Sequence, residues 1–222
     1  MSSPSVTSDA RFGALPPANP EQGVAPEDAA RADYYALLAR LFSAAPDRAL
    51  LEALARADEI DADAGLDALA TTWRRLRQAA SGADPEALRQ EFDDLFVGVG
   101  PSLVSPYATR YRAGSGTVMP LALLRADLAD LGFARRDGVR EPEDHSAALA
   151  DVMRLLVTDG TMAPEDRLAR QQDFFLKYLE PSYRGLADAM AAAPEADFYR
   201  RVGDFLRAFL DLEAESFQIN MI

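Results

Sequence analysis

Apolar residues recur along this chain at three- and four-residue intervals, segment after segment, with no sustained alternation of period two. That period leads to helices, each burying one stripe against a shared core, and argues against a sheet. Tyr34, Leu37, Leu38, Leu41 and Phe42 make the first stripe after a helix start at Pro26-Glu27-Asp28, and Leu50, Leu51 and Leu54 make a shorter second one. The acidic stretch Asp58–Gly65 reads as a loop before Leu66, Leu69, Trp73 and Leu76. Asp84-Pro85 is a cap followed by proline at the first helical position, opening a helix with Leu88, Phe92, Leu95, Phe96 and Val99 on one face. Later stripes are Leu121, Leu124, Leu128 and Leu131; Leu149, Val152, Met153 and Leu156; Phe174, Phe175, Tyr178 and Leu179; and, from near Pro194, Phe198, Val202, Phe205, Phe209 and Leu212. A short helix is expected around Leu186–Met190, and the one strand candidate, Thr117-Val118-Met119, is too short to weigh. The expected class is all-α: one globular bundle of about ten helices over residues 29–222, after a disordered tail over 1–28 rich in Ser, Pro and Ala.

The 222 residues contain no cysteine and one histidine, His145, which leaves no Cys-based cluster or multi-histidine metal site. The formal net charge is −13, opposed to nucleic-acid binding and suited to cationic partners. No apolar run is long enough to span a bilayer, and the N-terminus lacks the charged and apolar regions of a secretory leader. A cytoplasmic protein without stable membrane association is expected. Gly114-Ser115-Gly116 lacks the lysine of a phosphate loop, and Asp61-Ala-Asp63-Ala-Gly65 has its glycine one place early for a calcium loop and no closing glutamate. No cofactor, metal or catalytic residue is assigned.

One region departs from the helical pattern. From Gln90 to Tyr111 an amphipathic helix breaks at Gly98-Val-Gly100-Pro101 and runs into a loop carrying Pro106, Tyr107, Arg110 and Tyr111. So long an irregular stretch in a compact domain marks a functional loop or a hinge, here near 100–118. Tyrosines and arginine on a loop are typical of contact surfaces, although Arg110 could equally pair with a nearby acid. Further on, Glu141-Pro142-Glu143-Asp144-His145 opens a helix. Two readings of it stand. Acids near a helix N-terminus are stabilised by the dipole and His145 packs on the apolar face, or an acidic edge lies beside an apolar groove and suits a peptide basic at one end and apolar at the other.

Taken together, these segments resemble a known family. Phe92-x-x-Leu95-Phe96, then Pro106-Tyr107, then Glu141-Pro142-x-Asp144-His145 is similar to the paired signature of the TorD/DmsD/NarJ chaperones of molybdenum-containing redox enzymes. A third feature, Gln171-x-x-Phe174-x-x-x-Tyr178-Leu179-x-Pro181-Ser182, follows the family pattern with Tyr178 in place of His and Ser182 in place of Trp. The resemblance spans Ala30–Phe217. It implies an all-helical chaperone that binds the twin-arginine signal peptide of a molybdoenzyme precursor and holds it until the cofactor is inserted. It also implies Tyr107, Arg110, Tyr111, Glu141, Asp144 and His145 as peptide contacts, with Phe92, Leu95, Phe96, Pro106 and Pro142 shaping the groove. Some members bind guanine nucleotide or form domain-swapped dimers, so the oligomeric expectation is monomer or swapped dimer. Asp197-Phe-Tyr-Arg-Arg-Val and Ala208-Phe-Leu-Asp-Leu-Glu-Ala-Glu-Ser-Phe resemble members serving formate dehydrogenases. The alternative is a nucleotide-binding or hydrolysing enzyme on the same helical fold.

Overall fold

The computed structural model describes residues 25–62, 65–98, 102–112, 121–134 and 141–219. Among them the only extended pairing is one isolated antiparallel bridge, Tyr107 with His145, and the rest is helix, turn and loop. The α-helices are α1 (Pro26–Ser43), α2 (Arg48–Arg56), α3 (Asp67–Ser81), α4 (Pro85–Phe92), α5 (Leu121–Asp130), α6 (Ser146–Thr158), α7 (Pro164–Phe174), α8 (Tyr183–Ala192) and α9 (Phe198–Ile219). α1 takes in Pro26, Glu27 and Asp28, which the expected tail included. Proline at its first turn and two acids at the positive end of the dipole account for that start. Residues 1–24, most of the expected tail, lie outside the described residues, as do Thr117–Met119 and the far side of the expected hinge.

α6 is the axis of the bundle. Ala147 to Met153, Leu156 and Val157 are all buried, so this helix is apolar nearly all round, as a helix enclosed by its neighbours must be. α1 packs along it on one side and α7 on another, while α9 packs against both α3 and α8. α1 buries Ala32, Tyr35, Leu38, Leu41 and Phe42, whereas Tyr34 and Leu37 are only half-buried. The inward stripe is therefore rotated from the one expected, because α1 faces α6 on one flank and an open groove on the other. α9 begins at Phe198, a turn later than the expected Pro194. Its first amides are capped from another helix: Glu91 of α4 accepts from the N–H groups of Asp197, Phe198 and Tyr199 at 2.9, 3.2 and 2.8 Å.

Two helices end in π-helical turns, Asp93–Val97 after α4 and Phe175–Leu179 after α7. In each, the closing amide reaches back five residues, Gly98 N–H to the Asp93 carbonyl at 2.8 Å and Glu180 N–H to that of Phe175 at 3.0 Å. Gly98 leaves the first with φ of 39°, a left-handed conformation that favours glycine.

A buried ionic cluster ties the N- and C-terminal helices together. Arg31 of α1 donates from Nε and Nη2 to the two oxygens of Glu213 of α9, at 2.7 and 2.8 Å. The same guanidinium reaches Asp28 at 2.9 Å and the side-chain oxygen of Gln171 at 3.0 Å, and the Tyr35 hydroxyl donates to Glu213 at 2.9 Å. Glu213 is buried in the phase of an apolar stripe, between Leu210 and Phe217. Burial, reinforced by the Glu213 carboxylate, pushes the Tyr35 phenol well above its ordinary range. Removing one partner of a buried pair strands the other's charge. Glu213→Ala should therefore cost about 3 kcal/mol in urea unfolding followed by circular dichroism. A loss below about 0.5 kcal/mol would mean that Asp28 alone satisfies Arg31.

Candidate functional site

The loop 102–112 is clamped at four places along its length. Its first clamp comes from the π turn of Asp93–Val97, where the Leu95 carbonyl accepts from the Val104 N–H at 2.9 Å. Next it runs antiparallel to the segment before α6. Ala108 N–H donates to the Asp144 carbonyl at 2.9 Å, and the Ser146 N–H and hydroxyl both donate to the Pro106 carbonyl at 2.8 Å. The Tyr111 ring then lies against α8 at Gly185. A β-carbon built on that glycine would sit 2.8 Å from Tyr111 Cβ, so only glycine admits the ring this closely. Lastly, Arg112 Nη1 donates to the Lys177 carbonyl of the second π turn at 2.7 Å.

Side chains reinforce the central clamp. Thr109 Oγ1 donates to Asp144 Oδ2 at 2.7 Å. The Tyr107 and His145 rings meet edge to face, with centroids 5.3 Å apart. His145 is the N-cap of α6, its Nδ1 accepting from the Ala147 N–H at 3.2 Å. The helix expected to open at Glu141-Pro142 therefore starts at Ser146. The reason is local: the main chain of 142–145 is committed elsewhere, with His145 N–H turned back to the Pro142 carbonyl and Asp144 paired with Ala108. Glu143 pairs instead with Arg125 of α5 at 3.0 Å.

The site residues read from the sequence differ in place and in burial. Tyr107, Pro106, Asp144 and His145 come together in one place, with Asp144 and His145 only 3% and 6% exposed. Arg110 and Glu141 are exposed, and Tyr107, Tyr111 and Pro142 are half-buried. Leu95 and Phe96 are buried, and Phe92 is half-buried. Phe92 and Phe96 pack on Tyr199 of α9 with centroids 5.9 and 5.0 Å apart, an aromatic cluster linked to the loop through the Leu95 carbonyl. The exposed apolar side chains next to this region are Val97 and Leu103. Burial raises the Tyr111 phenol above its ordinary range, against the opposing pull of its hydrogen bond from the Ser105 N–H (2.9 Å) and of the Arg110 charge. Among the described residues no cluster of His, Asp and Glu could hold a metal ion.

A model of the family described as nitrate reductase delta subunit matches residues 62–188, more than half of the chain. The chain belongs to this family. Its members are redox-enzyme maturation chaperones of the NarJ and TorD kind, so the resemblance read from the motifs is borne out. A search of curated proteins gave no match. The matched span contains all three motifs, and the third now has a physical role. Gln171 is buried, accepting from Arg31 and donating to the Leu156 carbonyl at 3.3 Å, while the Tyr178 hydroxyl donates to Asp127 of α5 at 2.6 Å. That motif in this chain holds helices together.

Ser146, Gly185 and Arg112, which hold the loop in place, were not read from the sequence, and Thr109 was read only as part of the loop. Each meets a segment distant in sequence, and no periodicity marks them. The Thr109–Asp144 bond is testable by a double-mutant cycle. Asp144→Ala should cost about 2 kcal/mol and Thr109→Val about 1 kcal/mol in thermal unfolding, with the double variant losing less than the sum. Strict additivity would show that the two side chains act independently.

Proposed function

We propose that this protein is a cytoplasmic chaperone that binds the twin-arginine signal peptide of a molybdoenzyme precursor at the clamped loop and holds it while the cofactor is inserted. The observation that carries the reading is that two motifs far apart in sequence join through main-chain hydrogen bonds into one patch with an exposed acid, Glu141, and a half-buried aromatic, Tyr107. Paired arginines would meet Glu141 through charge-assisted hydrogen bonds, drawn in by the chain's formal charge of −13. The apolar run would lie along Tyr107, Tyr111, Val97 and Leu103. Asp144 and His145, being buried, hold the loop in position for these contacts, and Arg110 orients the peptide through its backbone carbonyls or its acidic residues. Leu95, Phe96, Phe92, Pro106 and Pro142 fix the shape of the face from behind. The protein works without nucleic acid or stable membrane association, as a monomer or as a dimer exchanging halves at 100–118.

Titration calorimetry with a synthetic twin-arginine signal peptide tests this. Binding in the micromolar range is expected, weakening as salt is raised, because exposed charge pairs are screened. Tyr107→Ala should weaken it about tenfold through loss of aromatic burial, and Glu141→Gln should remove much of the salt dependence. Absence of binding by the intact chain, or wild-type affinity in both variants, would refute the reading.

A further inference from the structure

A second surface lies away from the clamped loop. It is a groove of about 950 Å³ bounded by α1, α2, the loop 57–62, α3 and α9, with Leu168 of α7 also in its lining. None of the loop-site residues lines it, and α1, α2 and α9 all lie outside the span shared with the family model. Its floor is apolar and partly open: Tyr34, Leu37, Ile60 and Leu212 are half-buried. Tyr34 packs edge-on against Trp73 and Phe205, which are tilted against each other, with centroids 5.3–5.4 Å apart. One wall is pinned to the floor, because Trp73 Nε1 donates to the Asp58 carbonyl at 2.8 Å.

The rim is predominantly acidic. Among the described residues its lining carries Glu27, Asp28, Asp33, Asp58 and Glu59 at the edge, buried Glu213 at its base, and Arg31 as the one cation; Arg167 pairs with Asp28 at 3.1 Å and Arg77 with Glu59 at 3.4 Å from outside the lining. The Arg31 guanidinium is engaged by Glu213, Asp28 and Gln171. Glu27, Asp33, Asp58 and Glu59 are exposed at the mouth. An apolar trough walled by low-dielectric helices and edged by carboxylates focuses a negative potential along its length. Its volume is at the upper end of what ligand clefts have, and its lining takes in α1 from Glu27 to Leu37, about three helical turns, a length that an amphipathic helix can follow.

We infer that this groove docks a cationic amphipathic helix of a partner protein: leucine-like side chains on the Tyr34–Leu37–Ile60 floor, lysines or arginines against Glu27, Asp33, Asp58 and Glu59. The surface is additional to the signal-peptide face and does not depend on it. A helix is preferred over an extended strand because the groove is walled by helices and one short loop, and no sheet edge borders it among the described residues. A small acidic ligand is disfavoured by the charge of the rim.

Trp73 makes the inference measurable. It is the only tryptophan in the chain, so its fluorescence reports on the groove floor alone. The probe is a synthetic leucine–lysine peptide of about 18 residues, long enough to form a helix, with its leucines on one stripe. A control peptide has the same composition in an order that destroys the stripe. Expected on titration into the full-length protein is a saturable shift of Trp73 emission, absent with the control and weakened when salt is raised. The double variant Glu27→Lys/Asp33→Lys changes exposed residues only and should weaken binding about tenfold, with an unchanged circular dichroism spectrum. Equal response to both peptides, no response to either, or an unaffected double variant would overturn the inference. So would emission that varies with protein concentration before peptide is added, which would assign the groove to a second copy of the chain. A twin-arginine peptide that binds without moving Trp73 emission belongs to the loop face and leaves this test standing.

Discussion

The main-chain pairing of Pro106–Ala108 with Asp144–Ser146 is the constraint on which the middle of the molecule rests. It joins segments 40 residues apart without any regular strand. Because it uses backbone groups, it satisfies carbonyls and amides that an irregular buried loop would otherwise leave unpaired. It also decides where α6 can begin, since Asp144 and His145 are committed to the loop before Ser146 turns helical. The helix at the axis of the bundle and the loop at its surface are thus set by the same few hydrogen bonds.

Charge plays two separate parts. Inside, Arg31, Glu213, Tyr35 and Gln171 form a connected polar cluster joining α1, α7 and α9, where each group's cost of leaving water is met by a partner. Outside, the excess of acid over base is spread over loop and groove edges, where it acts on whatever approaches rather than on the fold. The helix ends follow the same logic on a small scale: Glu91 caps α9 from another helix, and Asp47 caps its own at 2.7 Å.

Much of this architecture was legible in the residues themselves. The apolar period located the helices, and the spacing of Phe92, Leu95, Phe96, Pro106 and Glu141–His145 led to the family, because both kinds of signal are local. What could not be read were phases and partners. Tyr34 and Leu37 obey the same spacing as Tyr35 and Leu38, and only the position of α6 decides which pair is inward. Glu213 sits on an apolar stripe and reads as a flaw until Arg31 arrives from the far end of the chain. Glu141, Asp144 and His145 look alike in a motif, yet one is exposed and two are buried, since burial depends on a loop that the local pattern does not place.

The two π-helical turns carry a consequence of a different kind. Each offers a carbonyl, Leu95 or Lys177, to an opposite end of the same clamped loop. Widening the helix by one residue shifts the angular phase of everything after it, and with it the direction in which those carbonyls face. The attachment of the loop is therefore written as helix phase and not as any side chain. Substitutions across Asp93–Val97 or Phe175–Leu179 would leave that information in place, whereas insertion or loss of a single residue would erase it. In this fold the spacing between motifs is a structural character in its own right, carried by chain length.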